Sequence, residues 1–139
     1  MPTLPWITVG TPTTPEVHCM ASRLEVRSLL SAPGFLIASL ALWRQARRSP
    51  GVLGVALKAE MLKGTFWTYS AWTDKAAIYA YAGAEPHRST VERKRKVMRE
   101  ATFVFFDAPV DELPLSWDEI GRRIAAQRDS AQSGHKPTP

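Results

Sequence analysis

Cysteine is nearly missing from this 139-residue chain, which has one, Cys19. A single thiol excludes an internal disulfide framework and every multi-cysteine zinc or iron–sulfur site. It fits a reducing compartment, so the cytoplasm is the expected location. Long apolar runs are missing too. The longest, Phe35 to Trp43, is broken by Ser39 and stops at Arg44, well short of the roughly 20 residues that a membrane-spanning helix needs. The first fifteen residues, MPTLPWITVGTPTTP, carry four prolines and neither Lys nor Arg. They lack the basic start of a secretory signal and read as an extended arm, residues 1–15. No G-x-S-x-G, P-loop, G-x-G-x-x-G or HExxH pattern occurs, which argues against classical hydrolase, nucleotide and zincin chemistry.

What is present is the composition of one soluble globular domain, with 45% hydrophobic and 22% charged residues. The net charge of +5 has an address. From Arg88 to Arg99 there are six basic residues and one acid, a local balance as large as that of the whole chain. A charge run on a helix is usually a solvated face, and the aromatic interleaving of a single-strand binder is missing from this one. The pattern argues against nucleic acid as a partner.

Hydrophobic periodicity predicts a strand over Val17–Val26 and, after the break Ala32-Pro33-Gly34, a helix over Phe35–Arg48 stopped by Ser49-Pro50-Gly51. Two strands, Val52–Met61 and Thr65–Trp72, lie close enough to form a hairpin. Thr73 or Asp74 caps a helical segment reaching Ala82. Pro86 opens a second segment, His87–Glu100. A strand over Thr102–Phe106 and a helix capped by Ser116 or Asp118 complete the pattern.

The order β-α-β-β-α-β plus a C-terminal helix is the ferredoxin-like arrangement of an α+β domain, expected over residues 16–130 with a polar tail at 131–139. The strands are apolar on both faces, so the second face of the sheet needs a cover. The expected cover is a second copy, giving a homodimer in which two sheets enclose a shared α/β barrel. The alternative is a monomer whose N-terminal arm and last helix lie over that face.

Among ionisable residues His87 stands out, because His87, Val91, Lys94 and Met98 fall on one helical stripe and point the histidine inward. An inward histidine is more often a hydrogen-bonded core residue than a ligand. His18, on the first strand, can face the same interior, but the two do not form a metal-site spacing. Trp67, Tyr69 and Trp72 on one strand read first as core and second as the wall of a pocket for a planar ligand. Arg88, beside His87, could clamp an anionic group.

The segments GVLGVALKAE, TFWTYSAWTDKAAIYAYAGAEPHRSTV and ATFVFFD resemble the antibiotic-biosynthesis-monooxygenase-like superfamily of dimeric α/β barrels. Within it, the run from Trp43 to His87 is similar to spheroidene monooxygenase-like, heme-associated proteins. The resemblance implies an oxygen-using enzyme acting on a small hydrophobic, aromatic or polyene substrate. Trp67, Tyr69 and Trp72 would form its pocket wall. His87 would ligate heme iron where heme is bound and move protons where no cofactor is used, and Arg88 would meet an anionic group. The alternative from another class is a non-catalytic barrel that binds a small ligand or heme. The chain departs from the superfamily in having no Asn, the residue associated with its active sites. Ser22, Ser70 and Tyr69 are the candidate replacements.

Overall fold

The computed structural model describes residues 3–85 and 87–132. Five strands form one antiparallel sheet: β1 (Thr3–Thr8), β2 (Glu16–Val26), β3 (Val52–Glu60), β4 (Thr65–Trp72) and β5 (Met98–Pro109). Their spatial order is β1-β3-β4-β2-β5, so the last four make the ferredoxin-like sheet and β1 is added at its edge. Helices α1 (Ala32–Arg47), α2 (Lys75–Gly83) and α3 (His87–Lys94) follow the first and third of those four strands, and α4 (Trp117–Gln132) ends the described chain. No helix among the described residues is long and apolar enough to cross a membrane.

Local chemistry accounts for the boundaries. Gly64 has φ of 62°, the left-handed turn that joins β3 to β4. Asp74 caps α2 by accepting from the Ala77 N–H at 2.9 Å, and Ser116 accepts from the Glu119 N–H at the start of α4. The expected opening of α3 by Pro86 and the part of the expected tail beyond residue 132 lie outside the described residues.

Three expectations are corrected. The residues read as an arm contribute β1, which pairs with β3. Its proline, Pro5, is tolerated because an edge strand leaves one row of backbone groups unpaired. The helix expected to reach Glu100 ends at Lys94, and Met98 already begins a twelve-residue β5. Cross-strand ion pairs explain the change, since Arg23 bonds Glu100 at 3.0 Å and Arg99 bonds Glu25 at 3.2 Å.

The third correction concerns the second face of the sheet. Within the chain it is covered by α4, whose Ile120 and Ile124 are 0% and 1% exposed against Val17, Cys19, Ala21, Tyr69 and Ala108. Trp6 of β1 joins this layer. The sheet is open and not closed into a barrel. α4 and Trp6 thus pack over this face within the chain. On the opposite face, α1 and α2 enclose a separate core of Val55, Trp72, Ile78 and Tyr81. A further cluster, Phe35, Ala59 and Phe66, closes one end.

Candidate functional site

Between α1–α3 and the sheet lies a cavity of about 390 Å³, inside the range usual for small-molecule sites. Its floor is one face of the sheet: Met20, Ser22 and Leu24 of β2, Val55 and Leu57 of β3, and Thr68 and Ser70 of β4. Phe35, Ala38, Leu42 and Trp43 of α1 form the roof, with Ile78 and Tyr81 of α2. The side toward β5 is open. Phe103 and Phe105 are 45% and 51% exposed there, and Tyr79 of α2 is 67% exposed across from them.

The few polar groups are placed by the secondary structure. Alternation along β2 and β4 puts Ser22, Thr68 and Ser70 on the cavity face. The hydroxyls of Ser22 and Thr68 bond each other, and Ser70 Oγ accepts from Trp72 Nε1 at 2.8 Å. The stripe His87, Val91, Lys94 and Met98 all borders the cavity, although Met98 does so from β5. The Nδ1–H of His87 donates to the Ala82 carbonyl at 3.1 Å, near the end of α2, and its ring meets the Tyr81 ring edge-on at 4.6 Å. Burial lowers the pKa of His87, against the opposing effect of that hydrogen bond. The imidazole is therefore neutral near pH 7, with the Nε2 lone pair uncommitted. Tyr81 is pushed up by burial and donates to the Leu42 carbonyl at 3.1 Å, so it stays a neutral hydroxyl.

The residues singled out in the sequence are not brought together. His87 lines the cavity. Trp72 is fully buried beside it, packed on Tyr81 with ring centroids 5.2 Å apart. Trp67 and Tyr69 point to the other face. The Tyr69 ring packs against Trp6 at a tilt of 33° with centroids 4.9 Å apart, and Trp67 Nε1 donates to Glu60 at 2.7 Å. Tyr69 borders the cavity from behind, through the strand, so its hydroxyl is no replacement for Asn, whereas Ser22 and Ser70 are on the right face. Arg88 is exposed and does not line the cavity. It sits one residue along α3 from the inward His87, on the solvated side.

Sequence reasoning missed the aromatic mouth of Phe103, Phe105 and Tyr79, and the proximity of His18 to Asp107. The signal for both was the pairing of the first and last strands of the ferredoxin-like order, which sets His18 opposite Asp107 and Met20 opposite Phe105. No group of three or more His, Cys, Asp or Glu at metal-binding distance occurs among the described residues.

No protein-family model and no curated protein matches the chain. Solved structures do match its fold. A crystal structure of an antibiotic biosynthesis monooxygenase is 20% identical with a TM-score of 0.60, covering 66% of this chain and 97% of that one. A putative antibiotic biosynthesis monooxygenase from Nitrosomonas europaea is 15% identical with a TM-score of 0.60, over 66% and 89%. SnoaB, a cofactor-independent oxygenase from Streptomyces nogalater, is 16% identical with a TM-score of 0.58, over 73% and 99%. The likeness is one of fold. It agrees with the superfamily resemblance in the sequence.

Proposed function

We propose that the chain is a monooxygenase-like enzyme that oxidises a small hydrophobic, aromatic or polyene substrate in the cavity between α1–α3 and the sheet. The observation that carries the reading is the cavity itself: apolar walls, an aromatic mouth and a short set of polar groups at defined places. The apolar walls hold the substrate by excluding water. Ser22 and Ser70 are the hydroxyls available to a substrate oxygen, and neutral His87 can accept a proton at Nε2. The same fold in a cofactor-independent oxygenase supports this version of the chemistry.

Heme is the second version, and the donor at His87 fits it. An imidazole that gives its Nδ1–H to a carbonyl, as His87 does to Ala82, is the usual orientation of a metal-ligating histidine. His87 would hold the iron, and the bound group would supply oxygen activation. Arg88 lies outside the cavity wall, so Lys94, which lines it, is the cation available to a propionate.

Two assays separate the readings. Oxygen uptake with a planar quinol, measured above the spontaneous rate, tests the enzyme against the non-catalytic binder. Addition of hemin tests the heme version, which expects a shifted Soret band that His87→Ala abolishes. An unchanged spectrum, or a shift that survives the substitution, removes heme from the account.

A further inference from the structure

A second group of titratable side chains stands at the mouth of the cavity. His18 of β2 is directly opposite Asp107 of β5, and its Nδ1 lies 2.8 Å from Asp107 Oδ1. The imidazole is 10% exposed and the carboxylate 66%. A carboxylate only accepts, so Nδ1 carries a hydrogen and donates it to Asp107, which in a neutral ring places the lone pair on Nε2. His18 borders a concavity of about 190 Å³ together with Lys75, Ile78, Tyr79 and Phe105. The last three also line the large cavity, so the two spaces adjoin. The Phe105 ring lies 13° from parallel to the imidazole with centroids 6.3 Å apart.

We propose that His18, oriented by Asp107, is a proton acceptor at this mouth, and that its ligand is a hydroxyarene whose ring enters the cavity past Tyr79 and Phe105. The proposal rests on the reading of the cavity as a site for small aromatic molecules. In the step, the ligand O–H bond breaks and an N–H bond forms at His18 Nε2. The imidazolium is balanced by the Asp107 carboxylate, and the aryloxide faces the Lys75 ammonium. No electrons move and no co-reactant is needed. Asp107 is the positioning residue, since it holds the ring and its tautomer without reaching the ligand.

The plainer role for the pair is a pin between β2 and β5. A pin needs nothing beyond the His18–Asp107 bond, whereas here His18 also borders an aromatic-sided concavity that Lys75 lines. Lys75 is the first residue of α2, where the helix dipole disfavours positive charge. An aryloxide in the concavity would offset that. Asp107, Lys75 and Tyr79 are the titratable neighbours of this space among the described residues.

The probe is 4-nitrophenol, whose phenol and phenolate differ in colour. Equilibrium dialysis measures its binding, and absorbance across a pH range spanning its own pKa measures its ionisation when bound. The wild-type protein is expected to lower the apparent pKa of the bound probe by about one unit, tenfold in the ionisation constant. His18→Gln should raise it back toward the free value, and Asp107→Asn should fall between the two. Because the Asp107 carboxylate is mostly exposed, Asp107→Asn preserves a test if His18→Gln does not fold. A bound probe that ionises alike in the wild type and both variants, even with lowered thermal stability in the variants, leaves the pair as a pin and overturns the proposal alone. A probe that does not bind the wild type overturns the cavity reading and this proposal with it.

Discussion

The Nδ1 of His87 lies 3.1 Å from the carbonyl oxygen of Ala82, so α3 begins by capping one of the last carbonyls of α2. This one bond fixes the ring in the cavity wall and leaves Nε2 free for chemistry. It also has a pH signature. Burial lowers the folded pKa of His87, so as pH falls below about 6.5 the unfolded chain takes up the proton first. The contribution of His87 to stability is level above that pH and declines as pH falls toward the lower folded value. Thermal melts across this window should show the decline in the wild type. His87→Gln, which keeps a donor for Ala82, should show a smaller one. Parallel curves would mean that the folded protein carries the imidazolium at no cost.

Cys19 tests the cover over the second sheet face. It is 0% exposed beneath α4, and burial pushes its thiol up to about 11. A thiol-reactive disulfide reagent at pH 8 should leave the folded protein unlabelled and label it on denaturation. Ending the chain before Trp117 should make labelling rapid, whereas slow labelling of that truncated chain would show that something other than α4 shields the thiol.

Ile120 and Ile124 carry the same layer energetically. Each is essentially fully buried, and replacing either by Ala should cost about 2–5 kcal/mol in a denaturation experiment. A loss under about 1 kcal/mol for both would place α4 off the sheet.

Trp6 lies so close over Gly54 that a Cβ on the glycine would come within 2.0 Å of an indole carbon. Gly54→Ala should therefore cost about 1–3 kcal/mol through overpacking. Combining it with Trp6→Ala should cost less than the sum of the two single changes. Additive losses would mean that β1 does not hold Trp6 against β3.

Much of this architecture was legible. The strand Thr65–Trp72 has its expected bounds, Asp74 and Ser116 act as caps, and the β-α-β-β-α-β order follows from periodicity. The inward placement of His87, Val91 and Lys94 was also legible, because helical spacing sets it, whereas Met98 reaches the cavity from β5. The sidedness of β4 was not. Residues 66–72 carry large aromatic side chains on both faces, Phe66 and Trp72 on one and Trp67 and Tyr69 on the other, because one face lies under α1–α3 and the other under α4 and Trp6. Alternation carries no signal in that case. The end of α3 was hidden for a different reason. Arg99 and Glu100 look like helix-surface charges, and their strand assignment depends on Glu25 and Arg23, more than seventy residues away. Long-range pairing also hid the His18–Asp107 contact, which no local pattern encodes.

In the proposed function, a small aromatic substrate is oxidised in the cavity under α1. Ala38 lines its roof, and Ala38→Phe fills the space from the α1 side without touching a polar group of the site. The direct measurement is oxygen consumption with a planar quinol by the wild type and by Ala38→Phe, with folding of the variant verified by its circular dichroism. The account predicts uptake above the spontaneous rate for the wild type and a loss of at least tenfold in the variant. No uptake by the wild type, or equal uptake by a folded Ala38→Phe, would contradict it.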